Sequence, residues 1–246
     1  MDIVIVGVDC ATVGDKVGIS LVEIGHRGKR LVEVSLGRPE SSPGDQIAKW
    51  LQGSKTALIA LDAPLGWPLA LSKQLTAHSA GSPVGYPPDM LFRRETDRYV
   101  ERIVRKRPLE VGADRIARTA VAALSLVAEL SQQLGRSIPL AWSHTELPPL
   151  SAIEVYPAAT LRARSLESEG YKRSKGIDLR QSLCAQILQE LPTDLDSASL
   201  TADDNVFDAV LCALAGIDFV EGRALEPYDR ATAYKEGWIW FASPGT

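Results

Sequence analysis

Two aspartates in this sequence close strand-like apolar runs: Asp9 follows Ile3-Val4-Ile5-Val6-Gly7-Val8, and Asp62 follows Thr56-Ala57-Leu58-Ile59-Ala60-Leu61. A lone aspartate after a strand is often a turn former whose side chain bonds nearby amides. Two at the same edge of neighbouring strands are harder to explain that way, because like charges held close repel unless a cation or a proton sits between them. The segment from Ala202 to Gly216 adds a third element. Its Asp204 fits a capping box with Thr201 and suits the positive end of a helix. Asp208 lies one turn deeper, among Phe207, Ala209, Val210 and Leu211, where no cap reaches. Four residues apart on a helix, the two acids share a face with Cβ atoms roughly 6 Å apart. Asp9, Asp62 and Asp208, with Asp204, thus form a candidate cation site. Donors that are all carboxylates suit Mg²⁺ or Mn²⁺ rather than zinc. Two such ions about 3.5–4 Å apart would activate water and stabilise a leaving oxygen in phosphodiester hydrolysis. Glu154 is a candidate fourth acid, directed either into the site or to solvent on an edge strand.

Other chemistries have little to stand on. Cys10, Cys184 and Cys212 lie far apart with no C-x-x-C spacing, and His26, His78 and His144 show no helical i, i+4 pairing, which argues against zinc and against a disulfide framework. The cysteines are expected in or near the core. No apolar run approaches the roughly 18 residues of a membrane span, and Met1-Asp2 leads straight into a strand without a basic or cleavable leader, so a soluble, cytoplasmic protein is expected. The net charge of −4 means that any contact with nucleic acid relies on a local basic patch.

The elements that must position the acids follow from periodicity. Ile3 to Val8 reads as a central strand buried on both faces. Val17 to Ile24 and Arg30 to Val34 read as an antiparallel pair around the polar turn His26-Arg27-Gly28-Lys29. After a break at Pro39 to Gly44 come a helix over Asp45 to Leu51 and the strand ending at Asp62. Residues 69 to 136 then turn helical, most clearly from Ala113 to Leu134, and read as a helical insertion over 67–137 after the fourth strand. A strand at Ser151 to Tyr156, helices over about 178–191 and 202–216, and an aromatic, strand-like tail from Glu236 to Phe241 complete the pattern. The order predicts one α/β domain spanning 1–246, a mixed sheet with helices on both faces. Sites in such sheets gather at the carboxyl ends of strands, where Asp9 and Asp62 stand.

Gly7-Val8-Asp9, Asp62-Ala63-Pro64-Leu65-Gly66, Arg94-Glu95-Thr96-Asp97-Arg98, Ala113-Asp114-Arg115-Ile116, Glu154-Val155-Tyr156-Pro157, Asp204 to Ala213 and Glu236-Gly237-Trp238-Ile239-Trp240 follow one another along nearly the whole chain. In order and number they resemble the motifs of an uncharacterised prokaryotic family described as predicted RNase H-like nucleases, a domain of unknown function. The resemblance implies a ribonuclease H-like mixed five-stranded sheet flanked by helices. It also implies a divalent-metal-dependent nuclease acting on nucleic acid. In the ribonuclease H and RuvC resolvase superfamily an acid lies on the first strand, another on the fourth and others on the last helix. By resemblance these roles fall on Asp9, Asp62, and Asp208 with Asp204. RuvC-like enzymes space the two helix acids three apart, whereas here they are four apart. The motif arginines Arg94, Arg98 and Arg115 become candidate substrate-binding residues.

Arg93, Arg94, Arg98, Arg102 and Arg105 recur along one predicted helix. They read either as a strip that tracks phosphates or as a solvated face, with Glu95, Asp97 and Glu101 interleaved and Glu101 to Arg105 forming a helical ion pair. Trp238 and Trp240 would share one side of a strand and are expected to close the core rather than stack on bases. Two other functions compete. A sugar-kinase or actin-like ATPase shares the ancestral sheet, but Cys10-Ala11-Thr12-Val13-Gly14 is a poor phosphate loop. A non-catalytic binding protein on the same fold is the other.

Overall fold

A computed structural model describes residues 2–38, 42–112, 114–173 and 175–245. Ala113, expected to open the long helix, and Pro39 to Ser41, in the expected break, lie outside them. In chain order the elements are β1 (Ile3–Asp9), a 3-10 turn (Gly14–Lys16), β2 (Gly18–Gly25), β3 (Gly28–Leu36), α1 (Pro43–Leu51), β4 (Ala57–Asp62), α2 (Leu69–Thr76), α3 (Pro88–Phe92), α4 (Glu95–Val104), α5 (Asp114–Leu134), β5 (Leu150–Val155), α6 (Pro157–Ala163), α7 (Ile177–Glu190), α8 (Ser197–Thr201), α9 (Asp204–Val220), α10 (Arg230–Glu236) and β6 (Ile239–Trp240).

The strands form one mixed sheet in the order β3-β2-β1-β4-β5-β6. β2 runs antiparallel to both β1 and β3, while β1, β4, β5 and β6 are parallel. The sheet therefore has six strands, not the five expected. The sixth contributes only Ile239 and Trp240, opposite Glu154 and Val155, and comes from the strand-like aromatic tail, which the five-stranded expectation leaves out of the sheet. Trp238 and Trp240 are both buried, as expected of core residues.

Alternation along the strands divides the core. Ile3 and Ile5 of β1 and Leu58 and Ala60 of β4 join α7 and α9 in one apolar layer. Val6, Val8, Ile59 and Leu61 point the other way, toward α1 and α5. Asp9 continues the first series on β1, and Asp62 continues it on β4. The helices α2 to α5 lie between β4 and β5 in the chain, and the third apolar cluster joins α4 to α6 and the C-terminal strand. Among the described residues, no helix is long and apolar enough to cross a membrane.

The central helix α9 lies directly on β1, and Gly7 makes that approach feasible. A Cβ at Gly7 would stand 2.0 Å from the Ala209 carbonyl oxygen and 2.5 Å from the Ala213 nitrogen, both backbone atoms that cannot swing away. A side chain there would push the helix off the sheet. The hydroxyl of Ser20 on β2 donates to the same Ala209 carbonyl at 2.7 Å, pinning the helix from the next strand.

Candidate functional site

Asp9 and Asp62 are direct partners in the parallel register of β1 and β4. Their side chains leave the same face of the sheet at the same edge, two residues beyond Gly7 and Ala60. α9 crosses this face, and Asp208, one residue before Ala209, reaches the same point. One carboxylate oxygen from each of Asp9, Asp62 and Asp208 lies within 4.8 Å of the others. The three acids, 53 to 199 positions apart in the chain, thus converge as expected.

The environment of these acids resists their charge. Burial, followed by the fields of Asp208 and Asp62, pushes the Asp9 carboxyl from 3.8 up to about 9. Burial again leads at Asp62, which rises to about 7 although the nearby Lys172 ammonium pulls it down. Asp208 is 0% exposed and also raised, by burial, with Lys172 and Tyr171 opposing. Among the described residues, no hydrogen bond reaches a carboxylate oxygen of Asp9 or Asp62. Asp208 is held better: the Tyr171 hydroxyl donates to Oδ1 at 2.8 Å, and the Lys172 ammonium pairs with Oδ2. That ion pair aside, Oδ2 has no partner although it is shut off from solvent. Three carboxylates around one half-exposed lysine, whose side chain is 50% accessible, remain short of positive charge.

Asp204 sits in the first turn of α9, outside the close group, with its charge still felt by Asp9 and Asp208. It does not cap the helix with Thr201. The cap is Asp203, which accepts from the Asn205 amide at 2.8 Å, while the Thr201 hydroxyl bonds back to Ser197 within α8.

Glu154 lines the same cleft as Asp9 and Asp62, but its carboxylate is engaged by Arg94 rather than joined to theirs. Its register partner is Leu61, whose side chain points away from α9, so the strand alternation turns Glu154 to the opposite face from Asp62. There it is buried and bound to Arg94, with Oε2 accepting Nη1 at 2.8 Å and Oε1 accepting Nη2 at 2.6 Å. Arg94 is 1% exposed and also donates to both oxygens of Asp97, through Nη2 at 2.9 Å and Nε at 3.2 Å. Glu154 Oε2 further accepts from the Leu65 amide at 2.9 Å, which ties down the segment just beyond Asp62. Glu236 completes the knot by accepting the Leu69 amide at 2.7 Å and the Glu95 amide at 2.6 Å. Gly237, at φ 84°, leaves the room this needs, since a Cβ would stand 2.9 Å from Glu154 Oε2. Arg94 is therefore a buried partner of carboxylates and does not belong to a solvated face.

The other arginines do not form a strip over the acids. Arg98 pairs with Glu95 at 2.8 Å, Arg93 pairs with Asp89 and Glu101, and Arg102 stacks on Tyr99 and Tyr228. Arg105 ends α4 in a left-handed conformation. Arg115 is exposed near the start of α5. The acids instead open into a cleft of about 690 Å³ whose lining includes Asp9, Asp62, Lys106, Arg107, Lys172 and Arg173. Tyr171 and Lys172, which touch Asp208 directly, were not foreseen. Their only mark in the sequence is the basic stretch Gly170-Tyr171-Lys172-Arg173-Ser174-Lys175-Gly176, bracketed by glycines.

A model of the family described as "Protein of unknown function (DUF429)" matches residues 7–233, and the chain belongs to that family. No curated protein and no solved structure gives a significant match.

Proposed function

We propose that this protein is a divalent-metal-dependent nuclease of the ribonuclease H-like kind, hydrolysing phosphodiester bonds in nucleic acid. The observation that carries the reading is the convergence of Asp9, Asp62 and Asp208 from two adjacent strands and a crossing helix. The acids on the first strand, the fourth strand and a late helix match the superfamily's arrangement, although α10 and β6 follow α9 here. The donor set fits Mg²⁺ or Mn²⁺: the oxygens are hard, close together and raised in pKa, by burial first and by neighbouring carboxylates after it. Asp9, Asp62 and Asp208 would hold the cation, with Asp204 within reach of its field.

When bound, such a cation supplies Lewis-acid stabilisation of charge on the phosphoryl oxygens. The chain's own groups do the rest. Tyr171 fixes the rotamer of Asp208, so one ligand is oriented before substrate arrives. Among the described residues, no hydrogen-bond donor competes for the oxygens of Asp9 and Asp62. Lys172 stays charged because the pull of Asp208, Asp62 and Asp9 outweighs its partial burial, and it is placed to hold a phosphate oxygen.

The direct test incubates the purified protein with Mn²⁺ or Mg²⁺ and a panel of RNA, DNA, hybrid and branched substrates. Cleavage by the wild type and its loss in Asp208→Asn is the expected result. Identical traces from the two proteins on every substrate would remove the nuclease reading.

A further inference from the structure

The cleft above the acids has a size and a distribution of charge that narrow what can enter it. Its volume of about 690 Å³ lies within the roughly 300–1,000 Å³ typical of small-ligand sites. Its walls are joined: Lys106, on the segment after α4, pairs at 3.5 Å with Glu169, on the segment after α6. Both residues line the cleft, so this pair links two of its walls. A specific duplex interface covers about 1,000–2,500 Å² and is strongly positive. Here the net charge is −4, and the lining sets Arg94, Lys106, Arg107, Lys172 and Arg173 beside Asp9, Asp62, Glu154 and Glu169. Arg173 has no ion-pair partner among the described residues, and Arg107 is 54% accessible, balanced only by Glu110. The lining also includes Tyr156 and Leu109 beside these cations and acids. Leu109 is 68% exposed, the highest value among the exposed large apolar side chains.

We infer that the cleft takes a single nucleotide unit, with its phosphate at the carboxylates and its base against Tyr156 and Leu109. The unit comes either from a free nucleotide or from the end of a single strand. This rests on the metal-dependent reading of Asp9, Asp62 and Asp208 and specifies its substrate. Flat apolar and aromatic surface accepts a base face without sequence preference. Arg107 and Arg173 offer paired donors to a phosphate. In the hydrolysis a water oxygen bonds to phosphorus as the P–O ester bond of that unit breaks, and the released alcohol oxygen takes a proton from the water.

The experiment uses the full chain and keeps the two readings apart. A calorimetric titration with Mn²⁺ alone tests the metal site, and absence of binding overturns the metal reading together with this inference. With Mn²⁺ bound, adenosine 5′-monophosphate and linear and circular single-stranded DNA of one sequence are compared. Binding of the mononucleotide is expected, together with cleavage of the circle at least about tenfold slower than of the linear strand. The doubly substituted Arg107→Glu, Arg173→Glu protein, altered at two exposed positions, should retain Mn²⁺ affinity. Its mononucleotide affinity should fall by about tenfold or more, the value of lost charge-assisted bonds. Shortening of the linear strand from its end identifies the strand terminus as the source. Release of phosphate from the mononucleotide with both strands intact identifies the free nucleotide. Equal cleavage of circle and line, or mononucleotide binding indifferent to the double substitution, overturns the inference while leaving metal-dependent cleavage standing.

Discussion

Two carboxylate clusters flank the end of β4, and they are built on opposite plans. On one face Glu154, Asp97 and Glu236 surround Arg94, and every carboxylate oxygen of the three receives an N–H donor from the guanidinium or from the backbone. On the other face Asp9 and Asp62 accept no hydrogen bond among the described residues, and only Asp208 is supported. Each cluster holds buried acids, Asp208 in one and Glu154 and Asp97 in the other, so burial alone does not separate a structural acid from a reactive one. The difference lies in satisfaction: a closed network specifies a conformation, whereas an open one with excess negative charge awaits a partner from outside.

This contrast is broken most sharply by removing Arg94. Arg94→Met strips two buried carboxylates of their partner and should cost about 3–5 kcal/mol, as breaking a buried ion pair does. Urea unfolding that shows less than about 1 kcal/mol of loss would mean that the knot is not structural. Gly7→Ala acts on the other side, by forcing α9 away from β1. Overpacking of this kind costs about 1–3 kcal/mol, and Mn²⁺ affinity should fall with it as Asp208 leaves Asp9; a calorimetric titration reads the second effect.

Asp9→Asn should do the reverse of Arg94→Met. Asparagine is neutral without the proton that Asp9 must take up on folding at neutral pH, so the metal-free protein gains roughly 1 kcal/mol or more there, while Mn²⁺ binding is lost. A destabilised Asp9→Asn protein would place Asp9 in a structural network after all. The pH dependence has the same origin. Asp9 and Asp62 keep a proton in the folded state, up to about 9 and about 7, that the unfolded chain releases near 3.8. The folded state thus binds more protons across this window, so stability is highest below it and declines as pH rises through 7 toward 9. Melting temperatures in chelator-treated buffer should fall across that range, and added Mg²⁺ should flatten the slope. A flat profile without metal would contradict the crowding of charge. Smallest is Lys172→Met: since that lysine is half exposed, its loss should raise Mn²⁺ affinity by only about threefold.

The sequence reveals one cluster better than the other for a physical reason. Asp9 and Asp62 are legible because uninterrupted β-branched runs end at them, and Asp208 because an acid amid Phe207, Ala209 and Val210 conflicts with its surroundings. The orientation of Glu154 is not legible. β5 is buried on both faces, so its residues carry no alternation from which to tell one side from the other. Tyr171 and Lys172 are hidden for a different reason. They reach Asp208 from the segment between α6 and α7, and periodicity does not describe such segments. The aromatic tail is legible as strand-like, but its two-residue pairing with β5 is not, because two residues carry no register signal.

In the parallel ladder of β1 and β4, Asp9 and Asp62 are neighbours across one step of backbone hydrogen bonding. Their separation is therefore inherited from the roughly 4.8 Å spacing of the strands, a dimension that no side-chain substitution can retune. Whatever sits between them is gauged by a fixed caliper of main chain. Only the jaw carried by α9 can be reset.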